Sequence, residues 1–448
     1  MSYVLGIDLG TSAVKVLVVN RKGEVVKESM KEYQLYQDHP GYSEQNPEDW
    51  YKQTVEAIKE ITNQFEDKDQ IAGISFSGQM HGLVLLDEKN EVLRRAILWN
   101  DTRTTEQCHE IEQTLTREKL LSITKNVALE GFTLPKILWV QQHEPETFKK
   151  AATFLLPKDY VRFRLTGKLN MDYSDAAGTL LLDVAKNEWS AEICHTFNID
   201  KNMCPELVDS HHKVGELLPN VANEIGLNPS TSVFAGGADN ACGAIGSGIL
   251  EDGKTLSSIG TSGVVLSYEK DSDKDFNGKV HYFNHGAENV YYTMGVTLAA
   301  GYSLSWFKNV FAPNTEMDDL VKGVSNSSVG ANGLMFTPYL VGERTPHADA
   351  NIRSSFIGVS STHQVHDFTR AVIEGITFSL NESIHIFREQ GKVINEVVSI
   401  GGGAKSPVKA GAGLAWQPSS ARHHPRRGYP ESPAGCQRIL PPDHAPGR

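Results

Sequence analysis

A short glycine turn occurs twice in the chain, 250 residues apart, and each copy lies between two apolar runs. Gly10-Thr-Ser12 separates residues 3–7 from residues 14–19, and Gly260-Thr-Ser262 separates a similar pair of runs. Segments rich in Val, Ile and Leu on both sides of a glycine turn predict β-hairpins. The recurrence favours an internally duplicated α/β architecture, although so short a repeat can also arise by chance.

A third glycine turn, near the middle of the chain, carries residues that suit catalysis. An apolar strand predicted over 232–235 runs into Gly236-Gly237, and Asp239 and Asn240 follow before a run of small residues that opens a helix. The paired glycines permit a tight turn and the close approach of another molecule. A carboxylate at the end of a strand is rigidly placed, as a general base must be. A plain helix cap is the alternative interpretation of Asp239.

The first hairpin turn has the composition of a phosphate-binding loop. Gly10 lets backbone N–H groups turn toward an anion, and Thr11 and Ser12 add hydroxyl donors. Lys15 supplies positive charge, and Asp8 offers the carboxylate oxygen that a hydrated Mg²⁺ prefers. An ordinary hairpin explains the same residues equally well.

The second half of the chain repeats this pattern and adds a glycine run. Gly260 and Thr261 occupy the second hairpin turn, and Gly401-Gly402-Gly403 stands just before Lys405. Bare backbone of this kind can lie flat against a nucleotide base or sugar. Triple glycine is a weak signal by itself, because many helix starts and linkers contain it.

Two stretches of the first half suit a polyhydroxylated ligand. Gln79-Met80-His81-Gly82 follows a predicted strand, where ligands commonly lie in α/β sheets. Trp99 offers an aromatic face, and Asp101 and Arg103 beside it offer an acceptor and charged donors. A surface turn with one histidine and a capped helix start are the respective structural alternatives.

Length, charge and cysteine usage limit the class of protein. A chain of 448 residues suggests at least two domains, and we predict one over 1–249 and another over 250–406. A net charge of −12 argues against nucleic-acid binding. Five scattered cysteines without a CxxC pair favour a reducing compartment. The sequence shows neither a signal peptide nor an apolar run of about 18 residues, so we expect a cytoplasmic protein without membrane contact.

The segment 407–448 differs in composition from everything before it. Eight of the 19 prolines fall there, with many arginines and histidines and no helical or strand periodicity. Such a segment buries too little apolar surface to offset the entropy of ordering it. We therefore expect it to be disordered, and we hypothesise that it is translated in a shifted reading frame, so that the second domain is incomplete.

Several stretches together make residues 1 to about 406 resemble the FGGY family of carbohydrate kinases. The matching stretches are Asp8–Ser12, Gln79–Gly82, Gly131–Val140, Gly236–Asn240, Gly342–Pro346, Ser354–Val359 and Asp367–Glu374. The resemblance implies an actin-like, ribonuclease-H-like fold of two duplicated α/β domains with a cleft between them. It also implies an enzyme that uses ATP and Mg²⁺ to phosphorylate D-xylulose to D-xylulose 5-phosphate.

The resemblance also implies roles for individual residues. Asp239 would take the proton from the terminal hydroxyl of the sugar, and Asp8 would lie near Mg²⁺. The residues implied for the sugar are Met80, His81, Asp239 and Asn240, to which the composition argument adds Trp99 and Arg103. Those implied for the nucleotide are Thr11, Lys15, Gly260, Thr261, Gly301, Gly402, Gly403 and Lys405, with Gly10 and Ser12 in the same phosphate turn.

Other functions stay open at this point. A different sugar or polyol kinase of the family, acting on ribulose, gluconate or glycerol, differs by few contacts. An actin-like or chaperone-like ATPase shares the hairpins but has no need for Gln79-Met80-His81 beside Asp239-Asn240. A catalytically impaired protein is conceivable because of the C-terminus. A homodimer is compatible with the sequence.

Overall fold

The computed structural model of the chain describes residues 2–405 and 437–439. It divides into two compact units. Unit 1 runs to Ile245 and also includes Phe283–Tyr291, whereas unit 2 comprises Gly246–Tyr282 and the chain from Tyr292 onward. The sequence predicts a single boundary at residue 249, and nothing in it indicates that 283–291 belong to unit 1.

Unit 1 contains one large sheet and several short strand pairs. Its strands are β1 Tyr3–Leu9, β2 Ala13–Asn20, β3 Val25–Glu32, β4 Glu44–Gln45, β5 Ile71–Gly78, β6 Val84–Leu86, β7 Ala96–Ile97, β8 Thr153–Leu155, β9 Asn170–Asp172, β10 Leu182–Asp183, β11 Glu188–Trp189, β12 Glu206–Val208, β13 Lys213–Glu216, β14 Ser232–Phe234 and β15 Gly237–Ala238. The large sheet has the order β13-β14-β5-β1-β2-β3, and β15 also pairs with β5. β1 runs antiparallel to β2 and parallel to β5, so the first hairpin is central.

Helices pack on this sheet and fill the rest of unit 1. They are α1 Pro47–Thr62, α2 Thr105–Leu115, α3 Arg117–Thr124, α4 Thr133–His143, α5 Pro145–Phe148, α6 Pro157–Thr166, α7 Tyr173–Ala177, α8 Ala191–Thr196, α9 Pro219–Ile225 and α10 Asp239–Gly246. The sequence predicts the start of α1, where the Asn46 side chain accepts the N–H of Glu48. Trp50 and Ile58 of α1 are fully buried in the same core as Ile7 and Val16 of the hairpin.

Unit 2 is built on a six-stranded sheet. The strands after residue 250 are β16 Lys254–Ile259, β17 Gly263–Glu269, β18 His281–Asn284, β19 Tyr291–Thr297, β20 Met335–Thr337, β21 Ser355–Ile357, β22 Glu396–Ile400 and β23 Gln437–Ile439. The sheet has the order β18-β19-β17-β16-β22-β23. β16 runs antiparallel to β17 and parallel to β22, which is how β1 relates to β2 and β5. The predicted duplication is therefore confirmed.

Three α-helices of unit 2 lie within the described residues. They are α11 Gly301–Phe311, α12 Met317–Gly323 and α13 Val365–Glu389. α13 packs against β17 and β20. No helix in the described part of the chain is long and apolar enough to cross a bilayer.

The predicted tail lies largely outside the described residues. Only its segment Gln437–Ile439 is described, as strand β23, which pairs antiparallel with β22. The expectation of a disordered, frame-shifted tail otherwise concerns 407–436 and 440–448, which are not described.

Candidate active site

The mid-chain glycine turn places Asp239 at the end of the large sheet of unit 1. Gly236 has φ +73°, and a Cβ there would lie 2.7 Å from the Phe76 nitrogen of β5. Only glycine therefore fits this backbone without displacing the strand. Asp239 begins α10, and its Oδ1 accepts the N–H of Asn240 (2.7 Å) and the Asn240 Nδ2 (3.0 Å). The side chain remains exposed, so it can receive a ligand.

The surroundings of Asp239 raise the pKa of its carboxyl group toward neutral pH. The side chain reaches solvent, but the protein atoms around it remove part of its hydration. This desolvation raises the pKa of Asp239 to about 7, while the N–H of Asn240 lowers it and the Asp8 carboxylate raises it further. A carboxylate whose pKa lies near the working pH is well matched to general-base catalysis.

The predicted sugar turn lies directly beside this carboxylate. Asn240 Nδ2 donates to Met80 Sδ at 3.7 Å, and Met80 is buried. His81 Nδ1 must donate to the carbonyl oxygen of Gly178 (2.6 Å), because a carbonyl only accepts. The structure thus brings together Met80, His81, Asp239 and Asn240, four of the residues proposed for the sugar.

Two residues that fix His81 were not assigned a role from the sequence. His81 has φ +69°, and its carbonyl oxygen accepts from Thr133 Oγ1 (3.1 Å) and Lys136 Nζ (3.0 Å). Both donors lie in the stretch that resembles the family's first signature. The resemblance of this stretch to the family could have drawn attention to both residues. The spacing of residues in the sequence does not show that Lys136 reaches the carbonyl oxygen of His81.

The first hairpin turn lies against Trp99. Gly10 N–H donates to Ala13 O (3.0 Å), which closes the turn. Trp99 Nε1 donates to Thr11 Oγ1 (2.9 Å), and Gln45 Nε2 donates to Thr11 O (2.7 Å). Trp99 therefore stands beside the predicted phosphate turn.

Asp8 and Lys15 are opposite one another in the β1–β2 register. Desolvation raises the pKa of Asp8, whereas a hydrogen bond from Ser77 and the charge of Lys15 lower it. Lys15 Nζ pairs with Glu28 (2.9 Å), and both side chains are exposed. Such a pair contributes little, so Lys15 can exchange it for a phosphate. The exposed carboxylate of Asp8 fits a hydrated magnesium ion.

Arg103 is placed differently from what the sequence suggested. Its side chain is 2% exposed and pairs with Asp101 (2.7 Å) and Glu44 (2.9 Å). The guanidinium also lies over the Tyr42 ring at 3.5 Å. Because these groups occupy the guanidinium, the geometry favours a structural role, and we omit Arg103 from the proposed sugar contacts.

In unit 2 the second hairpin turn contacts the start of α11. The N–H of Gly301 donates to Gly260 O (2.9 Å), and the N–H of Tyr302 donates to Thr261 O (3.1 Å). Gly260 and Thr261 themselves are exposed. The turn and the helix N-terminus therefore form one continuous surface.

The triple glycine lies against the same turn. Gly401 has φ +88°, and a Cβ there would lie 2.6 Å from the carbonyl oxygen of Ile259. Ile259 is the residue immediately before Gly260. A Cβ on Gly403 would overlap the Ile259 side chain, whereas one on Gly402 would meet no atom of the described residues within 4 Å, its two chain neighbours apart. Gly402 is thus the open position of the three. Lys405 ends the short 3₁₀ turn Gly402–Lys405.

Each unit therefore carries one group of candidate ligand-binding residues. Unit 1 offers the Asp239 carboxylate with a pKa of about 7, the Asn240 amide, the His81 imidazole and the glycine turn at Gly10. Unit 2 offers exposed glycine turns. These features define the fold and chemistry of a two-domain sugar kinase. The chain matches the FGGY family of carbohydrate kinases over residues 3–246 with the N-terminal domain and 255–410 with the C-terminal domain. It belongs to that family, which confirms the resemblance and sets aside an ATPase without a sugar substrate.

Individual relatives give a finer comparison. The xylulose kinase of Bacillus subtilis (strain 168) is 62% identical over 408 residues, which cover 91% of this chain and 81% of that protein. The ligand-bound xylulose kinase from Lactobacillus acidophilus is 27% identical, with a TM-score of 0.87 over 91% of this chain and 83% of that one. The gluconate kinase from Lactobacillus acidophilus is also 27% identical, with a TM-score of 0.88 over 92% and 84%. The similarity of the backbone therefore does not distinguish a xylulose kinase from a gluconate kinase.

Proposed function

We propose that this chain transfers the γ-phosphoryl group of ATP to D-xylulose and forms D-xylulose 5-phosphate. The observation that carries the proposal is the 62% identity to a xylulose kinase over 91% of the chain. The cluster of Met80, His81, Asp239 and Asn240 supports it, because these side chains suit a polyhydroxylated ligand next to a base.

In the proposed mechanism Asp239 removes the proton from the terminal hydroxyl as that oxygen attacks. Asn240 and His81 hold the sugar so that this hydroxyl points at the carboxylate. Phosphoryl transfer depends on positioning and charge neutralisation more than on covalent help. A ligand site with one base and several orienting groups meets that requirement.

We further propose that unit 2 holds the nucleotide. Gly260, Thr261 and Gly301 would bind phosphates, and Gly402 with Gly403 would lie beside the adenosine, with Lys405 near it. In unit 1 Gly10, Thr11 and Ser12 would add phosphate contacts with Lys15. Mg²⁺ near Asp8 would neutralise negative charge on the phosphate oxygens.

A coupled ADP-release assay across a sugar panel tests the substrate. D-xylulose should give the highest kcat/KM, above D-ribulose, gluconate and glycerol, and turnover without sugar should be negligible. A clear preference for gluconate would favour the second candidate, for which the Lactobacillus acidophilus gluconate kinase fold is the supporting comparison. ATP turnover that does not depend on sugar would contradict both.

The C-terminus bears on whether this chain is fully active. The family match ends at residue 410, and we keep the hypothesis of a shifted frame after residue 406. Re-sequencing the gene decides it, since an intact frame rejects the idea. If the frame is shifted, the same assay on a chain with a family-like C-terminus should show higher affinity for ATP.

The raised pKa of Asp239 predicts a pH dependence. Only the ionised carboxylate accepts a proton, so kcat/KM for D-xylulose should fall about tenfold per pH unit below about 7. Measuring the profile from pH 5 to 9 checks this. A profile that stays flat down to pH 5 would place the base elsewhere.

Gly402→Ala probes the proposed nucleotide contact without disturbing the fold. Apart from its two chain neighbours, a Cβ at Gly402 meets no atom of the described residues within 4 Å, so Tm should stay unchanged. The methyl group would occupy the space given to the adenosine, and KM for ATP should rise ~10-fold with KM for the sugar unaltered. Gly323→Ala, equally open at the end of α12, is the matched control. An unchanged KM for ATP would remove Gly402 from the site.

Two broader inferences remain part of the proposal. We infer a cytoplasmic location, which the free thiols of Cys108, Cys194, Cys204 and Cys242 support. A homodimer stays a prediction, and light scattering at several concentrations tests it.

A further inference from the structure

A group of five charged residues is fully buried in unit 1. The ammonium of Lys158 lies 2.6, 2.7 and 2.9 Å from carboxylate oxygens of Asp159, Asp172 and Asp175. Arg162 Nη1 also pairs with Asp159 (2.8 Å), and none of the five side chains is exposed. We call this group the Lys158 cluster. The three carboxylates lie close enough together to share one cation, and the Lys158 ammonium contacts all three.

The Lys158 cluster sets two cations, Lys158 and Arg162, against three carboxyl groups. Burial raises the pKa of Asp175 well above its ordinary value, the Lys158 ammonium lowers it, and the Asp172 and Asp159 carboxylates raise it further. Buried ion pairs are still expensive to desolvate, and replacing them by apolar residues is often neutral for stability. A contribution to the free energy of unfolding therefore does not explain why five charged residues are buried together at this position.

The cluster holds both ends of the turn that leads to Asp239. Arg162 Nη1 donates to Ala235 O (2.7 Å). At the other end the N–H of Ala238 donates to Ser174 Oγ (2.9 Å), and that hydroxyl donates to Asp172 Oδ2. The residue immediately before the proposed base is thus linked to the cluster through one hydroxyl.

The same cluster reaches the sugar turn. Asp175 lies in α7, and the carbonyl of Gly178 just after this helix accepts from His81 Nδ1 (2.6 Å). The Lys158 stem packs on the last residue of β5, because a Cβ on Gly78 would lie 2.8 Å from Lys158 Cβ. One short helix, anchored at Asp172 and Asp175, therefore contacts both His81 and the turn before Asp239.

We propose that Lys158 is a positioning residue that fixes His81 and Asp239 relative to each other by anchoring α7, with Ser174 as the link to the catalytic turn. This inference rests on the proposed function, since it assigns the sugar and the base to these two residues. Lys158 is fully buried, and it acts through α7, through Ser174 and through its packing on Gly78.

Ser174→Ala and Lys158→Met test the proposal, with Ser190→Ala as the control. Ser190 Oγ also accepts a backbone N–H at the start of a short helix of unit 1 (Ile193, 3.2 Å) and is similarly buried. Ser174→Ala should lower kcat ~10-fold or more, because small displacements of a base are costly, while KM for D-xylulose changes less than threefold. Ser190→Ala should leave kcat unchanged even where Tm falls.

Hydrogen–deuterium exchange supplies a readout that does not need turnover. Exchange should rise in both 78–82 and 235–240 for Lys158→Met and in 235–240 for Ser174→Ala, but in neither for Ser190→Ala. If Lys158→Met does not fold, Lys158→Met/Asp172→Asn removes one uncompensated carboxylate and should show the same pattern. Unaltered exchange in both segments, or a kcat for Ser174→Ala within twofold of wild type, overturns the proposal. A wild-type chain that phosphorylates no sugar would instead defeat the proposed function and leave the exchange result standing.

Discussion

Asp239→Asn should lower kcat by ~10²–10⁴-fold, the usual contribution of a general base, while D-xylulose still binds. Asparagine keeps the size of the side chain and an oxygen that accepts the N–H of Asn240, as Asp239 Oδ1 does now at 2.7 Å. It has no basic oxygen to take a proton from the attacking hydroxyl. Steady-state ADP release measures the loss, and calorimetry with D-xylulose should give a Kd within about threefold of wild type.

Asp38→Asn is the control for this substitution. Asp38 is an exposed carboxylate of the same unit that pairs with Arg95 (2.9 Å), and such surface pairs contribute little. Its loss should leave kcat and Kd unchanged. If Asp239→Asn retained more than a third of wild-type kcat, Asp239 would not be the base. If the variant instead lost sugar binding altogether, the loss of turnover would reflect a binding role of Asp239 and would not identify it as the base.

The parts of the fold that could be predicted are those specified by local sequence. The two hairpins were recognisable because a glycine turn separates short apolar runs, and their pairing in the sheets follows directly. The start of α1 was recognisable because Asn46 caps it in front of a proline. The cluster of Met80 with Asn240 could be expected from the family resemblance, but their contact at 3.7 Å required the fold.

The sequence could not predict which charged side chains the fold buries. Lys158 and Asp159 follow Pro157 at the start of α6 and look like the solvated first turn of a surface helix, yet both are fully buried. Arg103 has the residue type of a sugar ligand but is satisfied by Asp101 and Glu44. Residue type and spacing are the same for a buried and an exposed ion pair. Only the tertiary contacts of distant segments decide between them.

The turn before the proposed base makes Gly236 a second position at which substitution should lower activity. Its φ of +73° is disfavoured for any residue with a side chain, and an added Cβ would lie 2.7 Å from the Phe76 nitrogen and Cβ. Phe76 is buried in the central strand β5, so it cannot move aside. The turn must shift instead, and Asp239 moves with it.

Gly236→Ala should therefore lower kcat ~10²-fold, since a displacement near 1 Å has an effect of that size, and should also lower Tm by several degrees. Gly243→Ala is the matched control, because Gly243 lies in α10 one turn after Asp239 and, apart from the helix's own backbone and its chain neighbours, a Cβ there meets no described atom within 4 Å. Alanine is the better helix former, so this variant should keep full activity and an equal or higher Tm. Equal kcat in the two variants would mean that the turn tolerates a side chain, and the rigid placement of the base would then need another cause.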